Sequence, residues 1–102
     1  MKYFRYLFFC MLIFFNNSLR ADEMLDLGKK IFYGKGNCSS CHVLSDSASY
    51  EGVGKNLYKI KPSLERIMNV VNSGIGVMPS YEGILSYDEI DSLAFYVYES
   101  IN

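Results

Sequence analysis

The chain has 102 residues, which is enough for one small domain. Its 10 Lys and Arg nearly balance its 11 Asp and Glu, 50% of its residues are hydrophobic, and it contains a single His and no Trp. These figures exclude a disordered chain, a strongly basic nucleic-acid-binding protein and a multidomain enzyme.

Residues 1–21 have the pattern of a secretory signal peptide. Two basic residues precede an unbroken apolar run at positions 6–15, and the small residue Ala21 precedes an acidic stretch. This run is too short to span a bilayer, because a membrane helix needs about 20 residues. We therefore expect export with cleavage near Ala21, the alternative being an uncleaved segment that tethers the protein to a membrane.

The exported part, residues 22–102, carries 7 basic residues against 11 acidic ones and is therefore acidic. It has 81 residues, a size at which one hydrophobic core is marginal and an internal crosslink or bound group is common. Cys10 leaves with the signal, so the remaining cysteines are Cys38 and Cys41. They either form a disulfide or together hold a bound group.

Apolar spacing predicts three helices in the exported part. The first covers about 23–33, the second about 63–72, and the third follows a capping box that begins at Ser86. Gly- and Ser-rich segments separate the helices, and no alternating apolar pattern indicates a strand. We therefore predict an all-α domain whose long loops wrap around a ligand. The apolar stripe of the third helix consists of Ile90, Leu93, Ala94, Val97 and Ile101.

Cys38, Cys41 and His42 form the pattern C-x-x-C-H, the attachment signal for c-type haem. Two thiols at this spacing add across the two vinyl groups of the porphyrin and form thioethers. The imidazole that follows lies under the macrocycle and binds its iron. We therefore predict one covalently bound haem c, held by Cys38 and Cys41, with His42 as the proximal axial ligand of iron.

Other interpretations of the two cysteines explain less. A thioredoxin-like site requires a βαβ context, and the sequence indicates no strands. A four-ligand zinc site requires a further Cys or His, and residues 22–102 contain none. A structural disulfide leaves His42 and the long loops unexplained.

Because His42 is the only His, the second axial ligand is a Met, a weaker ligand such as Lys, water, or nothing. Met24 and Met68 lie on the apolar stripes of predicted helices, where core packing is the default. Met78 lies instead in the loop 74–79, whose glycines let the backbone approach a flat ligand and whose proline stiffens the chain. We predict Met78 as the distal axial ligand of iron, the alternative being a hydrophobic plug.

From about position 28 to 101, the chain resembles the class I c-type cytochromes, a family of small monohaem proteins. The resemblance depends on the first-helix pattern at 28–32, the attachment motif at 38–42, the Met-Pro loop at 77–81 and the last-helix segment at 93–97. It implies the cytochrome c fold, with three or more helices and long loops around one haem. In that fold the Gly and the aromatic residue of the first helix pack against the last helix.

The chain departs from the family pattern at positions 54–57. The family often has Gly-Pro-x-Leu there, and the proline carbonyl accepts a hydrogen bond from the ring N–H of the proximal His. Here Lys55 replaces the proline. Its backbone carbonyl is retained but the stiff ring is lost, so we expect a less rigid loop and an unchanged role for His42.

The resemblance implies a periplasmic electron carrier, and not an enzyme, because iron with two axial protein ligands leaves no place for a substrate. We expect redox partner proteins, namely a donor dehydrogenase and an acceptor oxidase or reductase, and no nucleic acid or stable membrane insertion. Two alternatives are a cytochrome subunit tightly bound to a periplasmic dehydrogenase and an open-site haem protein that binds a gas. Three lysines at 29, 30 and 35, and an acidic excess after Pro62, leave the charge of the partner open.

Overall fold

The computed structural model describes residues 20–45, 54 and 56–102. These residues form helices joined by turns, and their only extended pairings are two isolated bridges. The all-α prediction and the three predicted helices are confirmed, and a short fourth helix was not predicted. In chain order the helices are α1 (20–33), α2 (Leu57–Ile60), α3 (Leu64–Ser73) and α4 (Tyr87–Ile101).

The export signal at 1–21 lies almost wholly outside the described residues and stays a prediction. Its expected cleavage point after Ala21 falls within the helical residues of α1. Among the helices that the structure describes, none is long and apolar enough to cross a membrane.

Helices α1 and α4 cross at a glycine. A Cβ atom on Gly28 would lie 2.1 Å from the carbonyl oxygen of Ser92 and 2.5 Å from the Cβ atom of Tyr96. Only a residue without a side chain permits so close an approach. One turn further along α1, the ring of the buried Phe32 lies 6.0 Å from the ring of Tyr96. The predicted packing of the first helix against the last is therefore confirmed.

The hydrophobic core is built around α4. All five residues of its predicted apolar stripe are 5% exposed or less. They pack against Ile31 and Phe32 of α1 and against Ile67 and Val71 of α3. Leu64 precedes Ile67 and Val71 at helical spacing and would lie on the same face of α3. It is exposed because it is the first residue of that helix.

The N-terminus of α4 is fixed by the predicted capping box. The Ser86 hydroxyl accepts a hydrogen bond from the Glu89 N–H at 3.2 Å, and the Glu89 carboxylate accepts one from the Ser86 N–H at 3.0 Å. The same carboxylate pairs with the Lys35 ammonium at 2.8 Å. This pairing and the Ser86 N–H lower the pKa of Glu89. The ion pair holds the segment after α1 against the start of α4.

The C-terminus of α4 is held by the end of α2. Lys61 has a left-handed backbone, φ 43°, and its ammonium donates a hydrogen bond to the carbonyl of Ile101. The ammonium also lies 4.0 Å from the centre of the Tyr58 ring. A cation at this end of a helix complements the exposed carbonyl dipoles. Lysines therefore fix both ends of α4, one from the segment after α1 and one from the end of α2.

Candidate haem-binding site

The attachment motif forms a tight turn shortly after α1. Asn37 adopts a left-handed backbone, φ 52° and ψ 30°, and a 3-10 turn follows over Cys38–Ser40. The carbonyl of Cys38 accepts hydrogen bonds from the N–H groups of Cys41 at 3.1 Å and of His42 at 2.9 Å. The Ser40 hydroxyl donates to the Asn37 carbonyl at 2.7 Å. The turn therefore holds both thiols and the imidazole on one compact segment.

Cys38 and Cys41 are half-buried, and no disulfide joins them. Cys38 packs against the hydrophobic core, and a Cβ atom on Gly36 would lie 3.1 Å from its sulfur. Burial raises the pKa of the Cys38 thiol to about 11, and Cys41 nearby adds to the rise. The nucleophilic cysteine of a thioredoxin-like site has a lowered pKa. The environment of Cys38 therefore disfavours that alternative.

The imidazole of His42 lies against the backbone of Gly54. A Cβ atom on Gly54 would be 2.6 Å from Cε1 and 2.8 Å from Nδ1 of the ring. The Gly54 N–H donates to the carbonyl of Cys41 at 3.0 Å, which fixes this approach. Any side chain at position 54 would displace the ring. Lys55 lies outside the described residues, so the expectation for its carbonyl stays a prediction.

Asn56, to which the sequence assigns no role, fixes the chain that follows His42. It is 2% exposed. Its side-chain amide donates to the carbonyl of Ser45 at 3.1 Å, and its side-chain oxygen accepts from the N–H of Tyr58 at 3.0 Å. The available sequence signal was the preference for Asn at helix N-termini, since Asn56 directly precedes α2.

Met78 closes a two-residue turn, outside any helix, as the loop composition predicts. Ile75 and Met78 exchange backbone hydrogen bonds of 3.1 and 2.9 Å, and Gly76 between them has φ 56°. Gly74 has φ 75°, and a Cβ atom on it would lie 2.8 Å from the carbonyl oxygen of Met78. Met78 is half-buried against the core, whereas its neighbour Val77 is 87% exposed. Met78 is therefore an inward-facing side chain of a turn that the glycines make tight.

The structure brings the Met78 turn and the attachment turn together through Tyr81. The Tyr81 hydroxyl donates to the carbonyl of Gly36 at 2.6 Å. Burial raises the pKa of Tyr81, and the thiols of Cys38 and Cys41 add to the rise. The phenol is therefore protonated at neutral pH and available as a donor. From the sequence, packing is the expected role of Tyr50, Tyr58 and Tyr81, the alternative being hydrogen bonds to haem propionates or core residues. Tyr50 lies outside the described residues.

Of the three lysines at 29, 30 and 35, two are paired with carboxylates. The Lys30 ammonium lies 3.0 Å from Asp26 on the same helix, and Lys35 pairs with Glu89. Positive charge on this side of the molecule is therefore partly neutralised.

The donor set fits haem c. Two half-buried thiols, an imidazole and a thioether lie on two segments that the hydrogen bond from Tyr81 to Gly36 connects. At Gly54 a Cβ atom would fill the space beside the imidazole, so the chain leaves room there for the ring alone. The fold and these side chains define a protein that holds haem covalently.

Comparisons with known proteins agree with this class. A sequence model of the family described as "Cytochrome C oxidase, cbb3-type, subunit III" matches residues 23–97. Cytochrome c6 of Cladophora glomerata is 35% identical over 83 residues, which is 76% of this chain and 89% of the relative. Cytochrome c6 of Leptolyngbya boryana is 38% identical over 76 residues, which is 69% of this chain and 85% of the relative.

A solved structure shows the same fold. The crystal structure of the c-type cytochrome SorU from Sinorhizobium meliloti has a TM-score of 0.66 and 40% sequence identity, covering 76% of this chain and 91% of that one. This chain therefore belongs to the class I c-type cytochromes, the family of small monohaem proteins that the sequence resembles. It is an electron-transfer protein that binds haem c covalently and works with redox partners. The predicted family, fold and bound group are confirmed.

Proposed function

We propose that this protein is a periplasmic electron carrier in which His42 and Met78 are the axial ligands of iron and Cys38 and Cys41 form the thioethers. The observation that carries the proposal is the 2.6 Å hydrogen bond from Tyr81, three residues after Met78, to the carbonyl of Gly36, two residues before Cys38. It ties the segment that carries Met78 to the segment that carries the attachment motif. When bound, haem c supplies an iron that cycles between Fe(III) and Fe(II).

Each of the four side chains has a separate task. The two cysteines hold the porphyrin covalently, so it stays in place through both oxidation states. His42 is held in one orientation by its contact with Gly54. The Met78 thioether favours the reduced iron, which raises the reduction potential relative to two nitrogen ligands. With both axial positions filled by protein, the site transfers electrons and performs no substrate chemistry.

Optical spectra of the haem-loaded protein test this ligand set. We expect a low-spin reduced spectrum, a weak far-red band of the thioether–iron bond in the oxidised protein, and no change when carbon monoxide is added. A high-spin spectrum that shifts with carbon monoxide would contradict the proposal, since it would show an open iron site and support the gas-binding alternative.

We infer further that the redox partners present positive charge. Glu82, Asp88 and Asp91 are exposed on the turn after Met78 and on the start of α4. From Pro62 onward the chain has six acidic residues and one basic residue. The exposed apolar side chains next to Met78, including Val77, give such a partner an apolar contact surface.

Small charged oxidants measure the charge at this surface. We expect tris(phenanthroline)cobalt(III), a cation, to oxidise the reduced protein more slowly as ionic strength rises, and hexacyanoferrate(III), an anion, to oxidise it faster. Glu82→Gln is expected to weaken both trends more than Glu65→Gln. The two variants change the net charge equally, but Glu65 lies in the first turn of α3, whereas the Met78 turn follows the last turn of that helix. Opposite trends in the wild type would show that the lysine-bearing side exchanges electrons.

A further inference from the structure

We propose that Tyr81 is a positioning residue whose hydroxyl holds the Met78 turn against the attachment turn and so keeps the Met78 sulfur on the iron. This inference rests on the proposed ligation by Met78. It assigns to one phenol hydroxyl the task of joining the segment with the distal ligand to the segment with the proximal one.

Tyr81 is fixed to three separate parts of the chain. Its N–H donates to the carbonyl of Val71 near the end of α3 at 2.9 Å. Its own carbonyl accepts from the N–H groups of Ile84 at 3.0 Å and Leu85 at 2.9 Å, which closes the next turn. Its hydroxyl donates to Gly36 at 2.6 Å. The backbone hydrogen bonds fix Tyr81 to the end of α3 and to the turn that follows it. The hydroxyl makes the bond that reaches the segment of the attachment turn.

The acceptor, Gly36, is itself held rigidly. It is buried, and its N–H donates to the carbonyl of Ile31 at 2.8 Å. A Cβ atom on Gly36 would lie 2.9 Å from that carbonyl oxygen and 3.1 Å from the Cys38 sulfur. A hydrogen bond to this carbonyl therefore resists movement of the Met78 turn away from the attached porphyrin.

Phenylalanine would keep the ring and lose only this hydrogen bond. The carbonyl of Gly36 would then lose the Tyr81 donor, and movement of the Met78 turn away from the attachment turn would break one hydrogen bond fewer. Removing one such bond favours the open turn by about fivefold. A ring that served packing alone would give no such change.

Imidazole replacement of Met78 on the oxidised iron measures this opening. At saturating imidazole the rate of loss of the far-red band approaches the rate at which the turn opens. We expect Tyr81→Phe to raise that rate about fivefold, while Tyr87→Phe, the same change at an 81% exposed position on α4, leaves it unchanged.

A variant matched for stability separates positioning from general destabilisation. Ser63 caps α3 through its hydroxyl, which accepts from the Arg66 N–H at 3.1 Å, and Ser63→Ala removes a comparable stabilisation far along the helix from Tyr81. We expect its imidazole replacement rate to equal that of the wild type. An unchanged rate in Tyr81→Phe, or an equal increase in Ser63→Ala, would overturn the positioning role. Absence of the far-red band in the wild type would instead reject ligation by Met78, so the two failures are distinguishable.

Discussion

Replacing Met78 with alanine is expected to remove the far-red band and to open the iron to carbon monoxide and imidazole. The reduction potential should fall, because the thioether that favours the reduced iron is lost. Axial ligands set haem potentials over a range of about 0.8 V, and we expect a fall of the order of 0.2 V. Spectra with and without carbon monoxide, together with a potentiometric titration, measure both effects.

Met68→Ala is the matched control for this experiment. Met68 is half-buried on α3 and packs against the core, so its loss should cost stability, about 1 to 2 kcal/mol, without changing the spectrum. If Met68→Ala lost the far-red band and Met78→Ala kept it, the assignment of the distal ligand would be wrong.

Gly28→Ala is expected to lower the free energy of unfolding by about 3 kcal/mol. The added Cβ atom would lie 2.1 Å from a backbone oxygen of α4, so α1 and α4 would have to separate along their crossing. The higher helix propensity of alanine returns only about 1 kcal/mol of stability. Thermal unfolding of the oxidised protein should show a lower midpoint, by on the order of 15 °C for a domain of this size.

A second glycine provides the comparison. Gly83 has φ 81°, and no other heavy atom lies within 4 Å of where its Cβ would be, so Gly83→Ala should cost only the left-handed backbone penalty, about 1 kcal/mol. Equal losses of stability in the two variants would show that the crossing of α1 and α4 tolerates a methyl group and that its closeness is not essential.

Local features of the sequence predicted much of this fold. Helix α4 was predictable because its capping box and its apolar stripe are both contained in consecutive residues. The crossing at Gly28 was predictable because a glycine one turn before an aromatic residue matches a known family pattern. Helix α2 was not, since its four residues, Leu57–Ile60, are too few to show a helical period.

In the site, too, features that depend on neighbouring residues were predictable and contacts between distant residues were not. The C-x-x-C-H motif is contiguous, and Met78 is marked by the glycines and proline around it, so both could be selected from the sequence. The bond from Tyr81 to Gly36 joins residues that are 45 positions apart, and the pair of Lys35 and Glu89 spans 54. No local pattern encodes such pairs, because they exist only after the helices have packed. Leu64 shows the converse, since a periodic pattern predicts a buried face but not that a residue at the very start of the helix lies outside the core.

The contact between Gly54 and His42 bears on how the potential of this protein can be altered during evolution. Backbone, and not a side chain, meets the ring, so position 54 offers no side chain whose replacement could tune the proximal ligand. At the distal turn, by contrast, Val77 is 87% exposed and directly precedes Met78. Homologues of this sequence should therefore retain glycine at position 54 and vary at position 77.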